Sequence, residues 1–228
     1  MNETPGRLGL VPHESTASLI ADRLREAMAR GDLAPGAQMA EAELARDLGV
    51  SRGPLREGMQ RLTQEGLLVS FRHRGLFVIE MTPENVRDMY VARAAVERAA
   101  AREIFQHDSS EAGAVLGTVI ARMDAAARRR KVSTVSRADM EFHETLVSLA
   151  GSERLTRMHR TLLTETQMCI QALEETYDGH DVLVQEHRGI AEAIALADAV
   201  LTDQLILAHM EDAVTRLTND AVGPVDKV

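Results

Sequence analysis

Residues 41–62 read EAELARDLGVSRGPLREGMQRL, and their spacing decides how the rest of the chain is organised. The segment predicts two short helices joined by a tight turn. Gly49 ends the first, since a residue without Cβ accepts the left-handed backbone that closes a helix. Ser51 stands where its hydroxyl can cap the second. At about 100° per residue, Leu55, Met59 and Leu62 share one face of the second helix, while Arg52 and Arg56 share another. One face packs, and the other is left to touch something. Pro54 is tolerated in the first turn, where its missing N–H has no intrahelical acceptor to lose. Two guanidinium forks beside the positive end of a helix dipole suit phosphate oxygens and the guanine edges of a DNA major groove. An ordinary helical hairpin with two solvated arginines is the competing interpretation of the same residues.

The flanking sequence extends this unit. Residues 15–30 predict a helix with Ile20, Leu24, Ala27 and Met28 on one face and Gly31 as its stop, and GDLAPGAQM (31–39) turns the chain. After Leu62, apolar runs at 67–71 and 76–79 flank Arg72-His73-Arg74-Gly75. That pattern predicts a β-hairpin, with Gly75 supplying the positive φ of a tight turn. Three helices and a hairpin with a basic tip make a winged helix-turn-helix over residues 15–80. Arg72 and Arg74 then become candidates for phosphate or minor-groove contact, rather than charges that only keep a turn soluble.

Thr82-Pro83 marks a boundary. Beyond it the sequence predicts only amphipathic helices, near 83–106, 110–130, 133–149, 153–177, 180–197 and 199–219, forming an all-helical bundle over residues 83–219. Residues 1–14 and 220–228 are expected to be mobile tails. The basic run Arg128-Arg129-Arg130-Lys131 falls at a predicted helix end, where it complements the dipole.

Composition agrees with a mainly α fold, since aromatic residues make up 3% and Trp is absent. The single cysteine, Cys169, excludes an intrachain disulfide. With no secretory pattern at the start and no run of about 18 apolar residues, the expected location is cytoplasmic, without a membrane. The net charge of −9 opposes nucleic-acid binding at first sight. The first 80 residues, however, hold 10 Arg against 11 acidic residues, and residues 51–74 hold five Arg against two Glu. The positive footprint is local, so binding should be sensitive to salt.

A second constellation lies in the bundle. In RADMEFHETL, Asp139 and His143 stand four apart and leave one helix face together, so a carboxylate and an imidazole can hold one ion. His187 and His209 sit on the last two predicted helices at spacings that allow both to point inward. One Asp and three His would form a mixed N/O site for Zn²⁺, Ni²⁺ or Mn²⁺. Histidines 13, 73, 107, 159 and 180 have no partner at such spacing. Arg93 lies near the apolar face of a core helix, where a lone charge is costly. Either a carboxylate such as Glu97 or a small anionic ligand would satisfy it.

These stretches together resemble the GntR family of bacterial transcription regulators, in the branch with an FCD effector domain. The matching residues are GDLAPG, EAELARDLGVSRGPLREGMQRLTQEGLL, RHRGLFV, MYVARAAVE, DMEFH, EH followed by AEAIALAD, and AHM. The resemblance implies a homodimer that binds an inverted-repeat operator in double-stranded DNA, acting as a repressor. It also implies a small organic acid bound over a divalent metal, with Zn²⁺ the foremost candidate. Carried over by residue, Ser51, Arg52, Arg56, Arg72, Arg74 and Gly75 serve DNA binding. Asp139, His143, His187 and His209 are the metal ligands, and Arg93 clamps the effector carboxylate. Ala42, Gly53 and Gly58 depart from the larger residues common in relatives. The alternatives are a metal-dependent hydrolase or lyase, with Glu144 or Glu186 as base, and a sensor of the metal ion itself. An enzyme, however, has no need of residues 41–75.

Overall fold

The computed structural model describes residues 15–171 and 180–219. The expected tails, the helical stretch to Tyr177 and the Asp178-Gly179 break lie outside them.

Ser15 opens α1 (Thr16–Ala29) by accepting the Ser18 amide at 3.2 Å. Ile20, Leu24 and Met28 are buried on one face, and Gly31 follows at φ +80°. α2 (Glu41–Asp47) ends at Leu48, with Gly49 at φ +64°. α3 (Arg52–Gln64) then buries Leu55, Gly58, Met59 and Leu62. Ser51 takes the extended N-cap backbone, yet its hydroxyl makes no capping bond, contrary to expectation. Pro54 at the third helical position has no N–H to give, which removes one of the two amides a cap hydroxyl can reach. Gly58 is accounted for by packing. A Cβ there would lie 2.9 Å from Ile20 Cγ2 and 3.0 Å from the Ala17 carbonyl oxygen, so α1 and α3 meet across the glycine.

β1 (Leu68–Phe71) and β2 (Gly75–Val78) pair antiparallel, with Leu68 opposite Val78 and Phe71 opposite Gly75. The turn has positive φ at His73 (64°) as well as at Gly75 (97°). Residues 36–39, expected only to turn the chain, also line the free edge of β2. The Met39 amide donates to the Leu76 carbonyl at 2.8 Å and the Val78 amide to the Ala37 carbonyl at 2.9 Å. The segment, GAQM after Pro35, is too short to carry a strand pattern of its own.

Thr82 caps α4 (Pro83–Ile104) through the Asn85 amide, and Asp108 caps α5 (Ser109–Arg128) through the Glu111 amide. α6 (Val132–Leu149), α7 (Glu153–Gln171), α8 (His180–Ala195) and α9 (Ala199–Asn219) follow. Among the described residues the fold is thus mainly α, with nine helices and one two-stranded hairpin. No described helix is long and apolar enough to cross a membrane.

Two apolar cores result. One joins α1 and α3 to the hairpin, and it also takes in Met168 of α7. The other is built from α4 to α9 around Phe142, Leu116, Met123 and Ile194.

The contrast between two glycines of α3 is testable. Gly58→Ala forces backbone apart and should cost about 1–3 kcal/mol in urea unfolding. A Cβ added at Gly53, by contrast, would meet nothing within 4 Å. Gly53→Ala should therefore gain roughly 0.4–1 kcal/mol by restricting the unfolded chain.

Candidate metal centre and nucleic-acid face

At the head, Ser51, Arg52, Arg72 and Arg74 are exposed. Arg56, also exposed, is oriented by Glu41 of α2, whose Oε2 accepts its Nε–H at 2.8 Å. The Arg74 guanidinium lies over the rings of Phe71 (5.7 Å) and Phe77 (5.3 Å), while the Arg74 carbonyl accepts from Gln38 at 2.8 Å. The hairpin tip is therefore held by stacking and by residues 36–39. Arg61 is committed elsewhere, bonding the hydroxyls of Ser15 and Ser18 at the start of α1.

In the bundle, α6 projects Asp139 and His143 one turn apart, α8 brings His187, and α9 brings His209. One ligand atom from each lies within 4.8 Å of all the others. The Nε2 of His143 is 3.1 Å from that of His187 and 3.2 Å from that of His209. Asp139 Oδ1 is 3.0 Å from His187 Nε2. All four side chains are buried.

The outward ring nitrogens decide what this cluster can do. His143 Nδ1 faces Glu97 Oε2 at 2.8 Å, His187 Nδ1 the Leu183 carbonyl at 2.7 Å, and His209 Nδ1 Glu186 Oε2 at 2.7 Å. Each of these partners accepts, so each neutral ring carries its proton on Nδ1, an assignment made from the network. Burial, reinforced by the Arg93 charge, pushes His143 down to about 3, and burial with His187 alongside pushes His209 down to about 3. Burial opposes charge on Asp139, but the neighbouring imidazoles, His187 first among them, outweigh it and hold the carboxyl below its ordinary range. With the ring protons on Nδ1, the Nε2 lone pairs of His143, His187 and His209 converge on the Asp139 carboxylate with no proton to share. Asp139 Oδ1 is a buried oxygen without a hydrogen-bond partner. A divalent cation among them would remove the repulsion, and a donor set of three imidazole nitrogens and one carboxylate oxygen suits a transition metal.

Arg93 lies beside this cluster and is 1% exposed. Its Nε–H donates to Glu97 Oε1 at 2.7 Å, its Nη1 approaches Thr166 Oγ1 at 3.3 Å, and Tyr90 lies under the guanidinium at 5.3 Å. The intramolecular partner weighed for it is therefore present, yet Nη2 remains a buried donor with no acceptor. Burial opposes the charge of Glu97, but His143 and Arg93 hold its carboxyl well below the usual range.

His159, which has no partner at helical spacing, finds one far away in the chain. It is 2% exposed, and its Nε2 meets Glu97 Oε1 at 3.0 Å. The available signal was its helical spacing from Leu155, Leu162 and Thr166, which puts it on the inner face of α7. Glu186 holds His209 and is approached by Arg216 at 3.5 Å. It therefore orients a ring rather than facing the Nε2 cluster.

Residues 16–78 match the profile of bacterial regulatory proteins of the gntR family, and residues 88–212 match the FCD domain. An uncharacterised HTH-type transcriptional regulator from the TAR-I ttuE-ttuC' intergenic region of Agrobacterium vitis is 35% identical over 131 residues, 56% of this chain and 77% of that protein. A probable D-xylose utilization operon transcriptional repressor of Paenarthrobacter nicotinovorans is 29% identical over 197 residues, 86% of each chain. A putative GntR transcriptional regulator from Rhodococcus sp. RHA1 superposes with a TM-score of 0.73 at 25% identity, covering 90% of this chain and 99% of that one. In sequence and fold alike the chain belongs to the GntR family of DNA-binding transcription regulators, as a member with an FCD domain.

Proposed function

We propose that this regulator is a cytoplasmic, homodimeric repressor whose affinity for an inverted-repeat operator is set by a small organic acid held over a divalent metal. Residues 15–80 form the DNA-binding head and residues 83–219 the domain that binds metal and ligand. The observation that carries this reading is the convergence of three Nε2 lone pairs on Asp139 while every outward ring nitrogen is committed to an acceptor. The arrangement has no use as apolar core, and its four inward donors support a site for a divalent ion with positions left open for a ligand.

Asp139, His143, His187 and His209 hold the ion, with Zn²⁺ foremost and Ni²⁺ or Mn²⁺ as substitutes. The ion would supply a Lewis-acidic anchor for one carboxylate oxygen of the effector. Arg93 supplies the second anchor through Nη2, the buried donor that lacks an acceptor. Glu97 holds the Arg93 fork and the His143 ring in place from the far side. In the head, Arg52 and Arg56 enter the major groove, while Arg72, Arg74 and Gly75 place the hairpin tip against the backbone and minor groove. Repression as the sign of control is supported by the relative named as a repressor of D-xylose utilization.

Three measurements test this reading. On a duplex selected from a random pool by the wild-type protein, Arg52→Ala should lose about 1–3 kcal/mol of specific binding; unchanged affinity removes it from the interface. Elemental analysis of protein prepared without chelator should find one ion per chain, lost in His187→Ala. Wild-type protein that is free of metal yet still binds carboxylates would defeat the metal assignment. Arg93→Lys keeps a charge beside Glu97 but loses the planar fork, so effector binding should weaken at least tenfold, about 1.4 kcal/mol, with metal content unchanged.

A further inference from the structure

α7 is packed between the two cores, and neighbouring residues on it face opposite ways. His159 bonds Glu97 in the pocket, whereas Arg160 reaches toward the head, 3.8 Å from Asp22 of α1 and 4.0 Å from Glu65. Further along the helix, Met168 belongs to the core of the head and Cys169 to the core of the bundle. At about 100° per residue, His159, Thr166 and Cys169 fall on one side of α7, and Arg160, Met168 and Gln171 on the other. The Gln171 side chain on that outer side lies 3.3 Å from a Cβ built on Gly31, at the end of α1.

Each side has an end point of functional interest. On the inner side, Glu97 Oε1 takes both Arg93 and His159, and its Oε2 takes the metal-ligand candidate His143. All four side chains are no more than 2% exposed. The shared Glu97 carboxylate therefore couples a displacement of the His143 ring to His159. On the outer side, Glu65 is the C-cap of α3, the helix that carries Arg52 and Arg56, and it is also bonded by Arg25 at 2.7 Å. Between the helices runs a cleft of about 530 Å³ lined by Asp22, Arg25, Glu144, His159, Arg160 and Thr164.

We propose that α7 transmits the state of the pocket to the recognition helix. Glu97 and His159 tie its inner side to His143, and Arg160 with Met168 ties its outer side to α1 and to the end of α3. His159 and Arg160 are positioning residues: neither touches the ion, the effector or DNA. The proposal rests on the reading that the Asp139 cluster holds a divalent ion, and its test separates the two.

The test is hydrogen exchange by mass spectrometry on the full-length protein, stripped with chelator and then loaded with Zn²⁺. In the wild type, loading should slow exchange about fivefold or more both in the pocket peptides of α6 and α8 and in the peptide spanning Arg61 to Gly66. His159→Leu and Arg160→Ala should keep the protection of the pocket and lose that of Arg61 to Gly66. His159→Gln, which keeps an amide donor toward Glu97, should restore it. A merely structural role for His159 would alter exchange equally with and without Zn²⁺, which would overturn the proposal. So would a wild-type pocket that is protected while the end of α3 is unaffected, or undiminished transmission in either variant, and both outcomes leave the metal centre standing. A pocket that Zn²⁺ does not protect would overturn both.

Discussion

The burial of Glu97 is the constraint on which the bundle depends. Taking a carboxylate out of water costs several kcal/mol, and only a full set of donors in good geometry recovers it. Glu97 finds them on three helices: Arg93 one turn earlier on α4, His143 on α6 and His159 on α7. Satisfying that one group fixes the relative rotation of all three helices. It also fixes chemistry, because a carboxylate at Nδ1 of His143 obliges the opposite nitrogen to present its lone pair. The same device recurs with different acceptors, a backbone carbonyl for His187 and Glu186 for His209. The inner geometry of the cluster is thus set from outside, by groups that do not belong to it.

Charge is distributed with similar restraint in the head. A chain of net charge −9 is repelled by DNA over most of its surface, so any attraction has to be local. Not every arginine near α3 contributes to it. Arg25 is buried between Asp22 and Glu65, and Arg61 is bound to the first turn of α1. Arg52 and Arg72 are exposed, Arg74 is spread over two phenylalanine rings, and Arg56 is steadied by one carboxylate. The positive face is narrower than a count of arginines suggests, and it is better oriented. Steadied side chains lose less freedom on binding, which favours discrimination between sequences.

The parts of the molecule legible in the sequence are those encoded by local spacing. The two helices around Gly49, the hairpin with its Gly75 turn, and the pairing of Asp139 with His143 all depend on residues a few positions apart. His187 and His209 were legible as candidates because their helices are amphipathic, although their convergence on α6 is a tertiary fact. His159 and Glu97 show where such reading ends. Spacing offers Glu97 only as a partner for Arg93, one turn away, whereas its bond to His159 spans 62 positions of the chain. Ser51 shows a different limit: its position is right for a cap, yet no capping bond forms, and Pro54 removes one of the two amides it could use. In the sequence Gly58 stands out only as a departure from the larger residues of relatives, and the closeness of Ile20 and the Ala17 carbonyl reveals what a side chain there would displace.

A ligand can alter DNA binding only through different affinities for two arrangements of the protein, so the two must differ at some joint. Close-packed cores do not deform continuously; they shift as units over small distances. A helix that fills both cores cannot follow one without disturbing the other, and consecutive residues Met168 and Cys169 place α7 in that position. The ion pairs of Arg160 are long and half exposed, and pairs of that kind contribute little to stability. Their weakness leaves the polar side of the joint able to rearrange, while Met168 keeps α7 seated in the core of the head. Strong bonds at the Glu97 end and weak ones at the Glu65 end are the arrangement expected of a lever whose fixed point lies in the pocket.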